Sequence, residues 1–236
     1  MALYKIEDRK IKAIERTTFA HQNIKERDDL QKMLKENIEI ISPDTLIVAE
    51  EFGEWEDSRR RIDLLGLDKD ANLVVIELKR TEDGGHMELQ SIRYAAMIST
   101  LTFEKLVAIY GHYLKANQID NDPTSALLEF LDWEEPDEDN FAQEVKIILA
   151  SAEFSKELTT SVMWLNDFGL DIKCVRMHPY VSGILDIQTV IPIPEVADYQ
   201  IKIREKKQKE RASRENSRDF TKFDVSVAED SFLFAG

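Results

Sequence analysis

The chain has 236 residues, 43% of them hydrophobic, and a formal net charge of −15. Such a chain is long enough for one large domain or two small ones with a sizeable core. No apolar run approaches the ~20 residues that a membrane-spanning helix needs, the N-terminal MALYKIEDRKIKAIER lacks the uncharged apolar stretch of a signal peptide, and one cysteine, Cys174, excludes an internal disulfide framework. A cytoplasmic location and no membrane partner are the expectations.

In chain order, Ile24 to Ile41 reads as a helix, with Leu30, Met33, Leu34, Asn37, Ile38 and Ile41 at spacings of three and four. Glu26 falls four residues before Leu30 on the same stripe, an acid on a packing face. TLIVAEEF, Thr45 to Phe52, is a strand, and RIDLLGLD and NLVVIELK follow as two strands around a short turn at Lys69-Asp70-Ala71. Gly84 and Gly85 break the chain before a helix from His86 to Thr100. Helices at Phe103 to Lys115 and Thr124 to Trp133 come next, and Glu144 to Ser151 has the continuous apolar pattern of a buried strand. Ser155 to Gly169 carries helix start and stop signals, and LDIKCVRMHPYV and ILDIQTVIPIP are strands, the second stopped by prolines. This order predicts an α/β domain whose mixed central sheet is covered by helices on both faces. It spans residues 1–200, and a basic tail or linker occupies 201–236.

Charge is unevenly spread. Asp132 to Asp139 holds six acids and no base, and is read as a solvated loop because it lacks the spacing of a calcium loop. Lys202 to Arg218 holds eight Lys or Arg against three Glu, leaving −20 for the rest of the chain. That acidic body argues against a polyanionic partner unless local cations meet the phosphates. Besides the tail, Arg61, Arg80 and Arg93 are the candidates for such contacts.

The strand pair 62–79 poses the chemical question, because Asp63, Glu77 and Lys79 interrupt otherwise apolar strands. A three-residue turn at 69–71 makes facing residues sum to 140, so Asp63 lies opposite Glu77, with Lys79 on the same face two residues on. Two neighbouring carboxylates repel, and one takes up a proton unless a cation neutralises both. Lys79 supplies one charge and a hard divalent ion such as Mg²⁺ or Mn²⁺ supplies the rest, a donor set suited to activating water against a phosphodiester. An ordinary solvent-facing ion pair accounts poorly for acids among Leu, Val and Ile.

With these residues in place, the ordered set Asp63, Glu77-x-Lys79 resembles the PD-(D/E)XK nuclease superfamily, and QSIRY, with Gln90 and Tyr94 four apart on one helix face, resembles the helix motif of its RecB-like members. VKIILAS, SKELTTSVMWLNDFG and LDIKCVRM look like the closing part of a NucS-type endonuclease catalytic domain, so the resemblance covers about Ile24 to Met177. It implies a restriction-endonuclease-like α-β-β-β-α-β core and Mg²⁺ held by Asp63, Glu77 and the Leu78 carbonyl. Lys79, Gln90 and Tyr94 are implied in catalysis, and Glu26 as a first-helix acid that joins the metal. Ile62 stands where the motif has proline, residues 103–141 insert helices and an acidic loop before the fourth core strand, and extra C-terminal strands follow the core.

The expected function is therefore a metal-dependent endonuclease acting on nucleic acid, chiefly DNA, with a homodimer if both strands are cut. The alternative is a catalytically inactive module of the same fold that binds nucleic acid or a protein. Four histidines (21, 86, 112 and 178) show no ligand spacing. Cys174 is read as a buried strand residue and Trp55, Trp133 and Trp164 as packing residues; Glu50 and Glu51 end a strand bordering the hairpin, where either is a candidate outer acid and surface charge is the favoured reading.

Overall fold

The computed structural model describes residues 2–53, 61–80 and 86–190. Eight strands and five α-helices follow in chain order: β1 (Leu3–Glu7), β2 (Lys10–Ile14), α1 (Lys32–Glu36), β3 (Thr45–Phe52), β4 (Ile62–Asp68), β5 (Leu73–Lys79), α2 (Met87–Ile98), α3 (Phe103–Ala116), α4 (Pro123–Leu131), β6 (Val145–Ser151), α5 (Lys156–Asn166), β7 (Asp171–Tyr180) and β8 (Ile184–Val190). From β3 onward the strands form a six-stranded sheet in sequential order. The pairs β3–β4, β4–β5 and β7–β8 are antiparallel, whereas β5–β6 and β6–β7 are parallel. A mixed sheet of this kind is the α/β architecture expected from the apolar strand runs.

Both sheet faces are covered. On one, Leu65, Leu67, Leu73 and Val75 pack with Met87, Tyr94 and Ile98 of α2, Leu106 of α3 and Leu158 of α5. On the other, Leu64, Val74, Ile76 and Leu78 pack with Leu30, Leu34, Ile38 and Ile41 of the first helical segment. Two of the parallel strands are buried on both sides, which is why their sequences run apolar instead of alternating.

The β4–β5 turn fixes the register. Asp68 Oδ1 accepts from the amides of Asp70 (3.0 Å) and Asn72 (2.8 Å), and Ala71 completes the turn at φ 60°. Leu64 then faces Ile76 and Leu67 faces Leu73, so facing numbers sum to 140 as expected. Gly66 permits the close approach of β3: a Cβ there would lie 2.6 Å from Thr45 Cγ2.

Two local structures differ from the sequence expectation. The single helix expected over 24–41 is a π-helical turn, Glu26–Gln31, then α1, then a 3₁₀ turn, Ile38–Ile40. The Leu30 amide reaches Lys25 O at 2.9 Å, one residue further back than an α-helix allows, while Asp29 Oδ2 accepts from the Lys25 amide at 2.8 Å. Asn37 leaves helical dihedrals and donates from Nδ2 to Met33 O, ending α1. Met33, placed on the apolar stripe by its spacing, is consequently exposed. The second difference is the hairpin β1–β2, which the sequence did not announce. Its turn residues, Asp8 and Arg9, both have positive φ, as a two-residue hairpin with the twist of its strands requires.

The helical insertion between α2 and β6 is α3 and α4, capped by Thr102 and Asp122. The acidic loop after it also contributes, because Glu138 accepts from the Phe103 amide (3.1 Å) at the start of α3. Trp133 packs on Phe103, in line with its expected role. Trp164 does not: it is 48% exposed and lies against the exposed Phe168 at 4.7 Å between ring centroids. Cys174 is buried, and burial pushes its thiol up to about 12, so it is not a nucleophile. Trp55, Gly84, Gly85 and the tail 201–236 lie outside the described residues. No helix among the described residues is long and apolar enough to cross a membrane.

Candidate active site

The site forms at the end of the sheet where β4 enters and β5 leaves. Continuing the register one step past Leu64 and Ile76 brings Asp63 opposite Glu77 on one face. Asp63 is tied to the backbone of the next strand, its Oδ2 accepting from the Leu78 amide at 2.8 Å. Gln31, buried at the end of the π-helical turn, donates from Nε2 to Asp63 O at 3.0 Å and fixes β4 from the other side. The Leu78 side chain is fully buried in the opposite core cluster.

Glu77 is the anomaly. It is 0% exposed, and among the described residues neither carboxyl oxygen has a hydrogen-bond partner. The Asp63 amide faces it and stabilises its charged form slightly, outside good hydrogen-bonding geometry. An uncompensated buried carboxylate is costly, so burial first, and the Asp63 charge second, push the Glu77 carboxyl up to about 9. Burial likewise raises Asp63 to about 6, against the pull of the Leu78 amide and Lys79. In the metal-free protein at neutral pH the two carboxyls therefore hold a proton between them.

Lys79 stays charged. Burial lowers its pKa, but the charges of Asp63 and Glu26 and the Glu26 hydrogen bond outweigh that and hold it above its ordinary value. Its Nζ lies 3.2 Å from Glu26 Oε1, and Glu26 Oε2 accepts from the Arg80 amide at 2.8 Å. The first helical segment therefore brings Glu26 to the site, with both oxygens engaged. Glu51 also borders the site: it adds to the rise of the Asp63 pKa while pairing with Arg27 Nε at 3.0 Å. Glu50 instead pairs with Lys35 at 3.0 Å.

Gln90 and Tyr94 are one turn apart on α2, and Gln90 Nε2 donates to Tyr94 Oη at 3.0 Å. Tyr94 is buried in the core on the face that carries the acids. Arg61, Arg80 and Arg93 are exposed, and Arg80 Nη1 reaches Ile24 O at 3.5 Å. Of the histidines, His178 is buried and hydrogen-bonded to Glu153 at 3.0 Å, whereas His21 and His86 are exposed.

The donor set suits one hard divalent cation. Glu77 offers two unsatisfied oxygens beside a second carboxylate, and Mg²⁺ is commonly held by one or two carboxylates with water completing its shell. Among the described residues no group of three His, Cys, Asp or Glu side chains is placed to hold a metal, in keeping with Glu26 being paired to Lys79. Sequence reasoning missed Gln31, whose polar side chain lies on the apolar side of the helix with no motif to mark it.

No protein-family model matches the chain, and no curated protein matches it. Among solved structures it is similar to a repair endonuclease from Pyrococcus abyssi, with 20% identity and a TM-score of 0.34 over 62% of this chain and 45% of that one. It is also similar to EndoMS as seen in an EndoMS–dsDNA2 complex, with 20% identity and a TM-score of 0.32 over 62% of this chain and 43% of that one. The chain spans less than half the length of either protein.

Proposed function

We propose that this protein is a metal-dependent nuclease that hydrolyses phosphodiester bonds, with DNA as its main substrate. One observation carries the reading: a fully buried Glu77 carboxyl with neither oxygen satisfied, set against Asp63 and beside the Lys79 ammonium. A purely structural acid at that depth is expected to be hydrogen-bonded, so this one is read as waiting for a cation.

In this reading Asp63 and Glu77, with the Leu78 carbonyl, hold Mg²⁺ or Mn²⁺. When bound, the metal supplies positive charge to the phosphate and lowers the pKa of water. Asp63 is pre-oriented by the Leu78 amide and by Gln31 behind it, so it loses little freedom on binding. To hold a cation, Glu77 would have to release its proton to solvent, which its raised pKa opposes in the metal-free protein. Lys79, kept protonated, donates hydrogen bonds to a phosphate oxygen and offsets charge as it builds in the transition state. Glu26 holds the lysine in place until substrate competes for it. Gln90, tethered to Tyr94, supplies an amide donor to the same phosphate.

The test is nicking of supercoiled plasmid and cleavage of labelled single- and double-stranded oligonucleotides. Cleavage in Mg²⁺ or Mn²⁺ that stops with EDTA and in Asp63→Ala supports the reading. Cleavage that survives either change overturns it. Binding of nucleic acid or a protein without any cleavage selects the inactive module of the same fold, an outcome to which the acidic body of the chain lends some weight.

A further inference from the structure

The parallel strands carry the site's row of residues onward. Lys79 of β5 is in register with Ser151 of β6, and Ser151 with Arg176 of β7. These three lie two residues beyond Glu77, Leu149 and Cys174, on the same sheet face and at the same strand ends as the acids. Neighbouring strands are about 4.8 Å apart, so Arg176 stands roughly 10 Å from Lys79 along the row.

Arg176 is held differently from a structural arginine. Its Nε is 2.8 Å from Glu153 Oε2, yet it is buried without a well-formed hydrogen bond, and 21% of the side chain stays exposed. Glu153 is shared: Arg16 Nη1 lies 3.0 Å from Oε1, and His178 Nε2 is also at 3.0 Å. Burial pushes the Glu153 carboxyl up, but the Arg16 hydrogen bond and the Arg176 charge hold it below its ordinary value, so it is ionised. Burial and Arg16 lower His178, which is therefore neutral at neutral pH. One carboxylate thus answers two guanidinium groups. Asp186 stands on the far side of His178, at 4.0 Å, and accepts from Gln188. Glu88 approaches the row from α2, near enough to act on Cys174, and makes no ion pair with Arg176 among the described contacts.

We infer that Arg176 is a phosphate-binding position for the substrate strand, and that Glu153 holds the guanidinium in reserve. This rests on the nuclease reading for the identity of the ligand, a nucleic-acid backbone. An offset of ~10 Å places this contact on the strand's backbone beside, and not at, the bond cut at Lys79. A guanidinium suits it, since two parallel N–H donors match two phosphate oxygens.

The experiment uses the full chain and measures affinity for a labelled oligonucleotide in EDTA across a salt series, then KM and kcat in Mg²⁺. Arg176→Gln is expected to weaken binding several-fold, flatten the log-log salt slope by about 0.7–0.9, and raise KM with kcat nearly unchanged. Arg176→Lys keeps the slope. Glu153→Gln acts in the opposite direction, tightening binding, because it removes the carboxylate that competes with phosphate. A merely structural network weakens under both Arg176→Gln and Glu153→Gln. That result, or an unchanged slope in Arg176→Gln, overturns the inference. Should Arg176→Gln unfold, the sign of the Glu153→Gln effect decides alone. The two proposals fail separately: absent cleavage by the wild type with these slope changes intact removes the nuclease reading and leaves the phosphate site, and the reverse pattern does the opposite.

Discussion

The two ends of the β4–β5 hairpin each bury an acid, and they treat it in opposite ways. At the turn, Asp68 accepts from two backbone amides and pairs with Lys146 Nζ at 2.6 Å. At the open end, Glu77 has no hydrogen-bond partner among the described residues and an acidic neighbour. Burial alone does not single out a carboxylate; a buried one with neither oxygen satisfied calls for an explanation, which the proposed metal site supplies. The first acid closes a turn, and the second is arranged to be completed by something from outside.

The contrast breaks most sharply under substitution. Asp63→Ala or Glu77→Ala should abolish Mg²⁺-dependent cleavage while leaving the fold intact or firmer, since each removes one of two repelling groups; plasmid nicking and thermal melting read both halves. Asp68→Ala should do the reverse. It strips the turn amides and Lys146 of their acceptor, costing about 2–4 kcal/mol in denaturant unfolding, while kcat of the surviving folded protein stays near wild type.

Stability against pH gives the next largest effect. The folded-state pKa values of Asp63 and Glu77 are raised, to about 6 and about 9, so the folded metal-free protein binds protons more tightly than the unfolded chain. Their contribution to stability is then fully present below the ordinary carboxylate range and is lost as pH rises toward 9. Glu77→Gln should flatten the upper part of that decline, and Mg²⁺ should restore stability most at the alkaline end. A Glu77→Gln variant whose melting temperature in EDTA falls between pH 7 and 9 as steeply as that of the wild type would contradict the assignment.

Smaller effects are expected on α2. Gln90→Ala should slow cleavage by roughly 10–10³-fold with metal affinity retained, as befits a group that positions phosphate. Tyr94→Phe, which removes the hydroxyl that accepts from Gln90, should cost less than Gln90→Ala. Calorimetric metal titration showing lost affinity in Gln90→Ala would move that residue into the metal shell.

Much of this comparison was legible in the sequence, because a three-residue turn and period-two alternation together dictate which residues face each other; Asp63 and Glu77 could be paired by arithmetic. The first helix was less so. Its spacing suits a continuous α-helix, but the side chains of Asp29 and Asn37 compete for backbone groups and break it into three kinds of turn, turning Met33 outward. The β1–β2 hairpin escaped notice because Asp8-Arg9 is a poor turn signature and Tyr4, Ile6 and Ile11 lie exposed instead of facing a core. Arg176 carries no motif at all. Only the parallel register of strands distant in sequence brings it into line with Lys79.

That register separates the parts of the site in time as well as in sequence. Asp63 and Glu77 belong to a hairpin closed by a three-residue loop, a structure that forms within microseconds. Ser151 pairs with Lys79 across 72 residues and needs the parallel sheet, whose distant pairings are slow to assemble. The two acids are therefore expected to meet while water still surrounds them, their repulsion growing costly only when β6 and α2 seal the sheet. In pulse-labelling hydrogen exchange, the amides of the β4–β5 turn should gain protection before those of β6 and β7, and the gap between the two should widen with pH, as the closing sheet has to bury charge that a lower pH would already have removed.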